Sequence, residues 1–423
     1  MRSHSVCASL TAAAIAFVAL LPAPARAVPA FSRRYGTSCA TCHISFPRLT
    51  PFGEAFWRNG YAYPEGDADV VHEERLSLGS DAYRSLFPNA VWPGDMPSVP
   101  PVSFVLTSWF AATNDEERPR ATFDNFEALG NLYLAGTLGS NLSFFGRFGI
   151  GDSRASQPQH QRWHVTVRDL IPRTTIRVGD IVPELFRVPR TSCENCHFAQ
   201  SRPVGDNHWF LGPDYGIEAA GTIAGRFRWV AGVLEGRGNL SNSAKDLYAR
   251  IGTRIGGTRL DGVVVPGHDV SSDNWVDNSV DIGVFGYHGL ADVATVDAAG
   301  GAATVDDRFV SAGIDLNVTF GSFTFYAIAV GEWHSRPTFG NRDVLVERYL
   351  AEMRYVVWPW LVPSVSFEYF NTELPTDMQW KATASVEMLY RANVKLTLDA
   401  EVRRPVRTPL RFEQLRLSLT VGL

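Results

Sequence analysis

The chain has 423 residues, a formal net charge of −5 and a sequence pI near 6.1, a balance that argues against a nucleic-acid partner. Aromatic residues make up 12% of the chain, with 26 Phe and 11 Trp, against 20% charged, which suits a large apolar outer surface. Beyond the N-terminal leader, no stretch approaches the roughly 20 apolar residues of a membrane-spanning helix, which excludes helical insertion.

Arg2, the apolar run from Ala8 to Leu21 and the small-residue exit Ala25-Arg26-Ala27 are the three regions of a secretory signal peptide covering 1–27, with cleavage after Ala27. The mature protein is expected outside the cytoplasm. Of five cysteines, Cys7 leaves with the leader. The other four form two copies of one pattern, Cys39-Ala40-Thr41-Cys42-His43 and Cys193-Glu194-Asn195-Cys196-His197.

C-x-x-C-H is the attachment signature of a c-type haem: two thiols bond the porphyrin vinyl groups and the following histidine ligates the iron. One helical turn brings both sulfurs to one edge of a flat ring and the imidazole beneath the metal. A zinc half-site or a redox C-x-x-C pair would need further ligands or partners, and no cysteine is left over for either. The reading is two covalently attached haem c groups, bound through Cys39, Cys42, Cys193 and Cys196, with His43 and His197 as proximal iron ligands. Export agrees with it, since attachment takes place outside the cytoplasm.

Residues 28–101 read as a small, loop-rich c-type haem segment. Thr50 before Pro51 is an N-cap with proline at the first helical position, and Phe52, Ala55 and Phe56 share one face of the short helix that follows, suited to cover a haem edge. From Tyr63 to Pro101 the Pro, Gly and acidic residues predict an irregular connector.

Over 102–423 the pattern changes to period two. Val394, Leu396, Leu398, Ala400 and Val402 alternate with Lys395, Thr397, Asp399, Glu401 and Arg403, and Ile314, Leu316, Val318 and Phe320 alternate with Asp315, Asn317 and Thr319. Short turns such as Gly321-Ser322 take turns with long polar loops, Asn114 to Thr122, Gly236 to Lys245, Leu290 to Asp306 and Asn371 to Asp377. That rhythm, with strands long enough to cross a bilayer at a tilt, predicts an all-β antiparallel transmembrane barrel of about sixteen strands in the outer membrane. Starts fall near Val102, Ala128, Asn141, Arg162, Thr174, Tyr215, Phe227, Asp246, Val280, Phe309, Ser322, Val344, Leu361, Gln379, Asn393 and Glu413. Leu260 to Val265 could be a further strand, but it would break the even parity, so Gly256 to Asn278 is taken as a turn-side insertion. A soluble sandwich would alternate too, with the apolar face inward.

With the first strand running outward, residues 183–213 form the third external loop. In sixteen-stranded porins this loop folds into the pore, which would put the second haem within or above the lumen and the first at its periplasmic mouth. For the sixth ligand of the second haem, His208 in the same loop is the first choice and His164, on the inward face of strand four, the next. His72 and Met96 are the candidates in the first haem's own segment, with His72 chosen. His268, His288 and His334 carry no ligand-like spacing.

The run from Phe31 through Cys39-Ala40-Thr41-Cys42-His43, with Phe46-Pro47-Arg48-Leu49-Thr50-Pro51-Phe52-Gly53-Glu54-Ala55-Phe56 and Asn59-Gly60-Tyr61, closely resembles fused outer-membrane cytochrome-porins of the Cyc2-like type. The resemblance covers about the first sixty residues. It implies an N-terminal c-type haem joined to a barrel, moving electrons from extracellular ferrous iron towards the periplasm, and it carries over to Cys39, Cys42 and His43. This chain departs from it by the second motif at Cys193, Cys196 and His197, and by ending on Leu423 where outer-membrane barrels usually end on an aromatic residue.

The function expected is a dihaem electron conduit between an extracellular donor or acceptor, Fe(II) among them, and a periplasmic cytochrome or other carrier, held in outer-membrane lipid. Two alternatives stand beside it. One is a soluble periplasmic dihaem electron-transfer protein with a β-sandwich body. The other is a haem enzyme, peroxidase-like or reductase-like, with an open axial site and Arg202 above it.

Overall fold

Period-two alternation builds strands, and antiparallel pairing around a full circle closes them. In the computed structural model the described residues are 29–64, 66, 70–72, 74–76, 79–90, 96–97, 100–114, 119–138, 141–151, 162–186, 214–236, 244–263, 273–296, 302–335, 343–371, 379–405 and 411–423. The predicted signal peptide lies outside them.

The barrel begins with β1 (Val102–Asn114), β2 (Pro119–Leu138), β3 (Leu142–Gly151), β4 (Arg162–Arg168) and β5 (Thr174–Ile181). It continues through β6 (Asp214–Ile223), β7 (Phe227–Leu234), β8 (Asp246–Gly256), β9 (Asp277–Val296), β10 (Ala302–Gly321) and β11 (Phe323–His334). It ends with β12 (Val344–Tyr355), β13 (Leu361–Asn371), β14 (Gln379–Arg391), β15 (Val394–Pro405) and β16 (Arg411–Gly422). Each strand pairs with the next, and β16 pairs with β1 through Leu417 opposite Phe110 and Leu419 opposite Ser108, so the barrel has no free edge.

All sixteen expected strands are present, in the expected order. Two boundaries differ. β2 already starts at Pro119, and the stretch from Leu290 to Asp306, expected as loop, is mostly strand, with the β9–β10 ladder continuing to Val296 opposite Ala302. The extension keeps backbone donors and acceptors paired. The insertion between β8 and β9 adds no strand among its described residues. Instead Leu260 is buried and Gly262 presses so closely on Ala55 and Pro64 that a side chain there would collide.

Burial settles which face is which. On β10, Ile314 and Phe320 are exposed while Asp315 and Asn317 are buried, and on β15 Leu398 is exposed while Lys395, Asp399 and Glu401 are buried. The apolar face looks outward and the ionic face inward, the reverse of a soluble sandwich, so the sandwich alternative is overturned. Trp163, Tyr215, Trp333 and Phe412 stand exposed towards one end of the barrel, and Tyr355, Trp358, Trp360 and Tyr390 towards the end that carries the termini. Such girdles mark the two interfaces of a bilayer-spanning barrel. Inside, charges pair across the wall: Arg250 bonds both oxygens of Asp315 at 2.7 and 3.2 Å, Arg254 bonds Asp281 at 2.6 Å and Lys381 reaches Glu368 at 2.8 Å.

The N-terminal segment fills the termini end of this lumen. Ala30 N–H donates to Ser103 of β1 at 2.8 Å, Arg34 to Thr137 of β2 at 2.6 Å, and Arg48 to Glu352 of β12 and Glu387 of β14 at 2.5 and 3.1 Å. Lys395 of β15 donates to the Phe46 carbonyl at 2.5 Å, and Arg254 of β8 reaches Glu54 at 3.3 Å. After β5 the chain also turns inward: Leu185 is buried and Phe186 packs on Phe285 of β9. The expected inward course of this loop therefore holds for its described beginning, Val182 to Phe186.

Candidate functional site

Three short helices in the lumen segment build the site. The first, α1 (Ala30–Arg34), brings Phe31 and Tyr35. The second, α2 (Cys39–Cys42), starts at Ser38, whose hydroxyl accepts the Ala40 N–H at 3.2 Å, and stops at His43, whose backbone is extended. The third, α3 (Pro51–Arg58), is capped as the sequence predicts: Thr50 Oγ1 accepts the Gly53 N–H at 3.0 Å.

Thr50 also ties the helices together, its N–H bonding the Cys42 carbonyl at 3.0 Å and its hydroxyl donating to the Thr41 carbonyl at 2.9 Å. Gly53 packs on that same Cys42 carbonyl, and any Cβ there would overlap the oxygen. The cysteine-bearing turn is thus fixed to a helix that presents Phe52 and Phe56.

Between them lies a cavity of about 290 Å³. Cys39, Cys42 and His43 line it together with Phe31, Tyr35, Phe46, Phe52, Phe56, Trp57, Tyr61 and Tyr63. The barrel wall contributes Tyr133, Phe145, Arg162, His164, Arg177, Asp180 and Lys395, and the inward chain contributes Val182, Glu184 and Phe186. Rings dominate the lining: Phe31 stacks on Tyr61 at 5.4 Å, Tyr61 on Phe145 at 5.3 Å, and Phe145 on His164 at 5.3 Å.

Burial sets the electrostatics of the first motif. It pushes the Cys42 thiol up to about 12, with Cys39 adding to the effect, so the sulfur is a protonated thiol. It pulls His43 down to about 4 against nearby backbone acceptors at Pro47 and Arg48, leaving a neutral imidazole. His43 Nδ1 is buried with no hydrogen-bond partner among the described residues. Both cysteines are free thiols. Two reduced sulfurs, a neutral imidazole with an unspent nitrogen and a wall of rings are the donor set that a covalently held haem requires.

Beside the cavity an ionic cluster joins three parts of the chain. Glu184, on the inward turn after β5, accepts from Arg228 of β7 at 2.6 Å and Arg177 of β5 at 3.1 Å, and lies 3.8 Å from Arg58 of α3. Burial pushes its carboxyl up, but Arg228, Arg177 and Arg58 outweigh it and hold the group well below the usual carboxylate range. Burial likewise lowers Arg58 to about 10, offset in part by Glu54 and Glu184.

The predicted residues divide as follows. Cys39, Cys42 and His43 come together in the cavity. His164 faces inward as expected, yet it lies on this first cavity, against Tyr61, although it was a candidate for the second haem. His72 is exposed, beside Gly36, and does not line the cavity. His288 points outward, and His334 is a buried wall residue bonded to Asp307 at 2.6 Å and Glu332 at 3.0 Å. Cys193, Cys196, His197, Arg202 and His208 lie outside the described residues. The docking residues Glu387, Lys395 and Glu184 carried no sequence motif; their one signal was an inward parity or a charge in an otherwise apolar neighbourhood, and Arg48, though inside the resembling run, carried no sign of its partners on the wall.

No protein-family model matches the chain, and no curated protein resembles it in sequence. In fold it is similar to the anion-selective porin from Comamonas acidovorans, at TM-score 0.52 and 9% identity over 76% of this chain and 98% of that one. An OmpF porin of Salmonella typhi, solved with daunomycin, aligns at TM-score 0.52 and 10% identity over 76% and 97%. A loop-deletion mutant of the Vibrio cholerae outer-membrane protein OmpT aligns at TM-score 0.51 and 8% identity over 76% and 98%. The architecture is that of a sixteen-stranded outer-membrane porin.

Proposed function

We propose that the chain is an outer-membrane cytochrome-porin of the Cyc2-like type, here with two haems, that conducts electrons between an extracellular donor or acceptor such as Fe(II) and a periplasmic carrier. One observation supports it above the rest: Cys39, Cys42 and His43 line a ring-walled cavity inside a closed barrel whose outer face is apolar. The porin fold supports passage across the outer membrane, and a lumen segment pinned to β1, β2, β8, β12, β14 and β15 opposes free diffusion through that end.

In this reading Cys39 and Cys42 would hold the porphyrin covalently and His43 would supply an imidazole nitrogen to its iron. Bound haem supplies reversible one-electron exchange. The chain's own residues do the remainder. Phe31, Phe52, Phe56 and Tyr61 exclude water and lower the local dielectric, which tunes the potential. Thr50 and Gly53 hold the cysteine turn. Cys193, Cys196 and His197 hold the second group, on the loop that begins by folding inward at Leu185 and Phe186. Oxidation of ferrous iron would be outer-sphere and would need no acid, base or nucleophile from the wall.

The test uses proteoliposomes enclosing oxidised cytochrome c, with ferrous iron added outside. The chain is expected to reduce the enclosed protein. A variant carrying Cys39→Ser, Cys42→Ser, Cys193→Ser and Cys196→Ser keeps the barrel and should not. Equal rates from both would leave a diffusion channel in place of a conduit.

A further inference from the structure

We propose that Arg162, on the lumen wall at β4, binds the propionate carboxylates of the haem attached at Cys39 and Cys42. The inference rests on the haem reading above and adds a residue to it.

A c-type porphyrin is tied to the protein by its vinyl edge, and its two propionates leave from the opposite edge. Their partners must therefore be cations that line the same cavity away from the cysteines. Arg162, Arg177 and Lys395 are the cationic side chains on its lining besides the histidines. Lys395 is on the cysteine side, since it donates to the carbonyl of Phe46, three residues past His43. Arg177 is already spent on Glu218 at 2.5 Å and Glu184 at 3.1 Å.

Arg162 is different. It makes no ion pair among the described residues, and its Nε is buried without a hydrogen-bond partner. It stands directly opposite Arg147 in the β3–β4 ladder, a like-charge pairing that destabilises a sheet unless an anion offsets it. Arg147 bonds the neutral Asn131 at 2.8 Å; of the two carboxylates on the cavity lining, Glu184 is taken up by Arg228 and Arg177, which leaves Asp180. Two arginines against one aspartate leave a surplus positive charge beside a cavity lined otherwise with rings. A planar group, apolar at the cysteine edge and carboxylated at the other, offsets that surplus, and a guanidinium fork matches a carboxylate in two bonds.

The experiment uses the full chain with Cys193→Ser and Cys196→Ser, so that only the first haem remains, and measures its midpoint potential in detergent. A nearby cation favours the reduced state, which carries one positive charge less. Arg162→Gln should keep the haem covalently attached and lower the potential, while Arg162→Lys should retain most of the original value. An unchanged potential in loaded Arg162→Gln overturns the proposal and leaves the haem reading standing. A parent chain with no haem at Cys39 and Cys42 overturns both. If Arg162→Gln does not assemble, the resonance Raman propionate-bending band decides. It should shift between the parent and Arg162→Lys, because a point charge replaces a fork, and an unshifted band rejects the assignment.

Discussion

Arg48 and Glu387 lie 339 residues apart and are joined by an Nε–H···O bond of 3.1 Å, which fixes the cysteine-bearing segment to the inner wall of the barrel. Both side chains are almost wholly buried, and Arg48 also bonds Glu352 at 2.5 Å. Removing one partner of a buried pair leaves an uncompensated charge and costs about 3–5 kcal/mol. Arg48→Ala is therefore expected to release the N-terminal segment. Limited proteolysis should cut it between Val28 and Pro101, while the barrel keeps its heat-modifiable migration in gels. Equal protease resistance would remove Arg48 from this role.

Gly53 tests the internal order of the segment. A Cβ there overlaps the Cys42 carbonyl, so Gly53→Ala must push α3 away from the cysteine turn. Overpacking of this kind costs about 1–3 kcal/mol. The expected outcome is lower haem content and an earlier melting of the haem absorbance, with barrel content unchanged by circular dichroism.

Sequence legibility followed the range of the interactions. The strands were readable because alternation and length are local, and each of the sixteen starts rests on its own residues. The ladder between Leu290 and Asp306 was not, because a run rich in Ala, Gly and Asp looks like loop until Val296 pairs with Ala302. The motif Cys39 to His43 was readable for the same local reason. The side chains that dock it were not: contacts such as Arg48 with Glu387 exist only after closure sets which inward residues meet the lumen segment. His164 shows both sides. Its inward face followed from parity, but its neighbour did not, since Tyr61 reaches it through the fold of the segment and not through chain order.

The orientation of the wall gives a third prediction. Ile314 is exposed on the apolar face and Asn317 is buried on the ionic one. An arginine facing lipid near the midplane costs about 2–4 kcal/mol, and less inside the lumen. Ile314→Arg should lower the urea midpoint for refolding into vesicles far more than Asn317→Arg does. The reverse order would mean the faces are exchanged.

Glu184 gives a pH dependence. Its folded carboxyl lies below the ordinary value, so its contribution is fully present above the unfolded carboxylate pKa of about 4.3 and is lost as pH falls towards the lower folded value. Protease resistance at the start of the inward loop should hold at pH 6 and decline below about pH 4. Glu184→Gln should weaken it at both pH values and flatten the profile.

The most direct test is haem quantification on the detergent-extracted chain by pyridine haemochrome, with visible spectra of the reduced protein. The prediction is two covalently attached haems per chain, falling to one when Cys39 and Cys42, or Cys193 and Cys196, are replaced by serine. A chain that folds as a barrel and carries no covalent haem when expressed with the attachment machinery would contradict it and leave a porin alone.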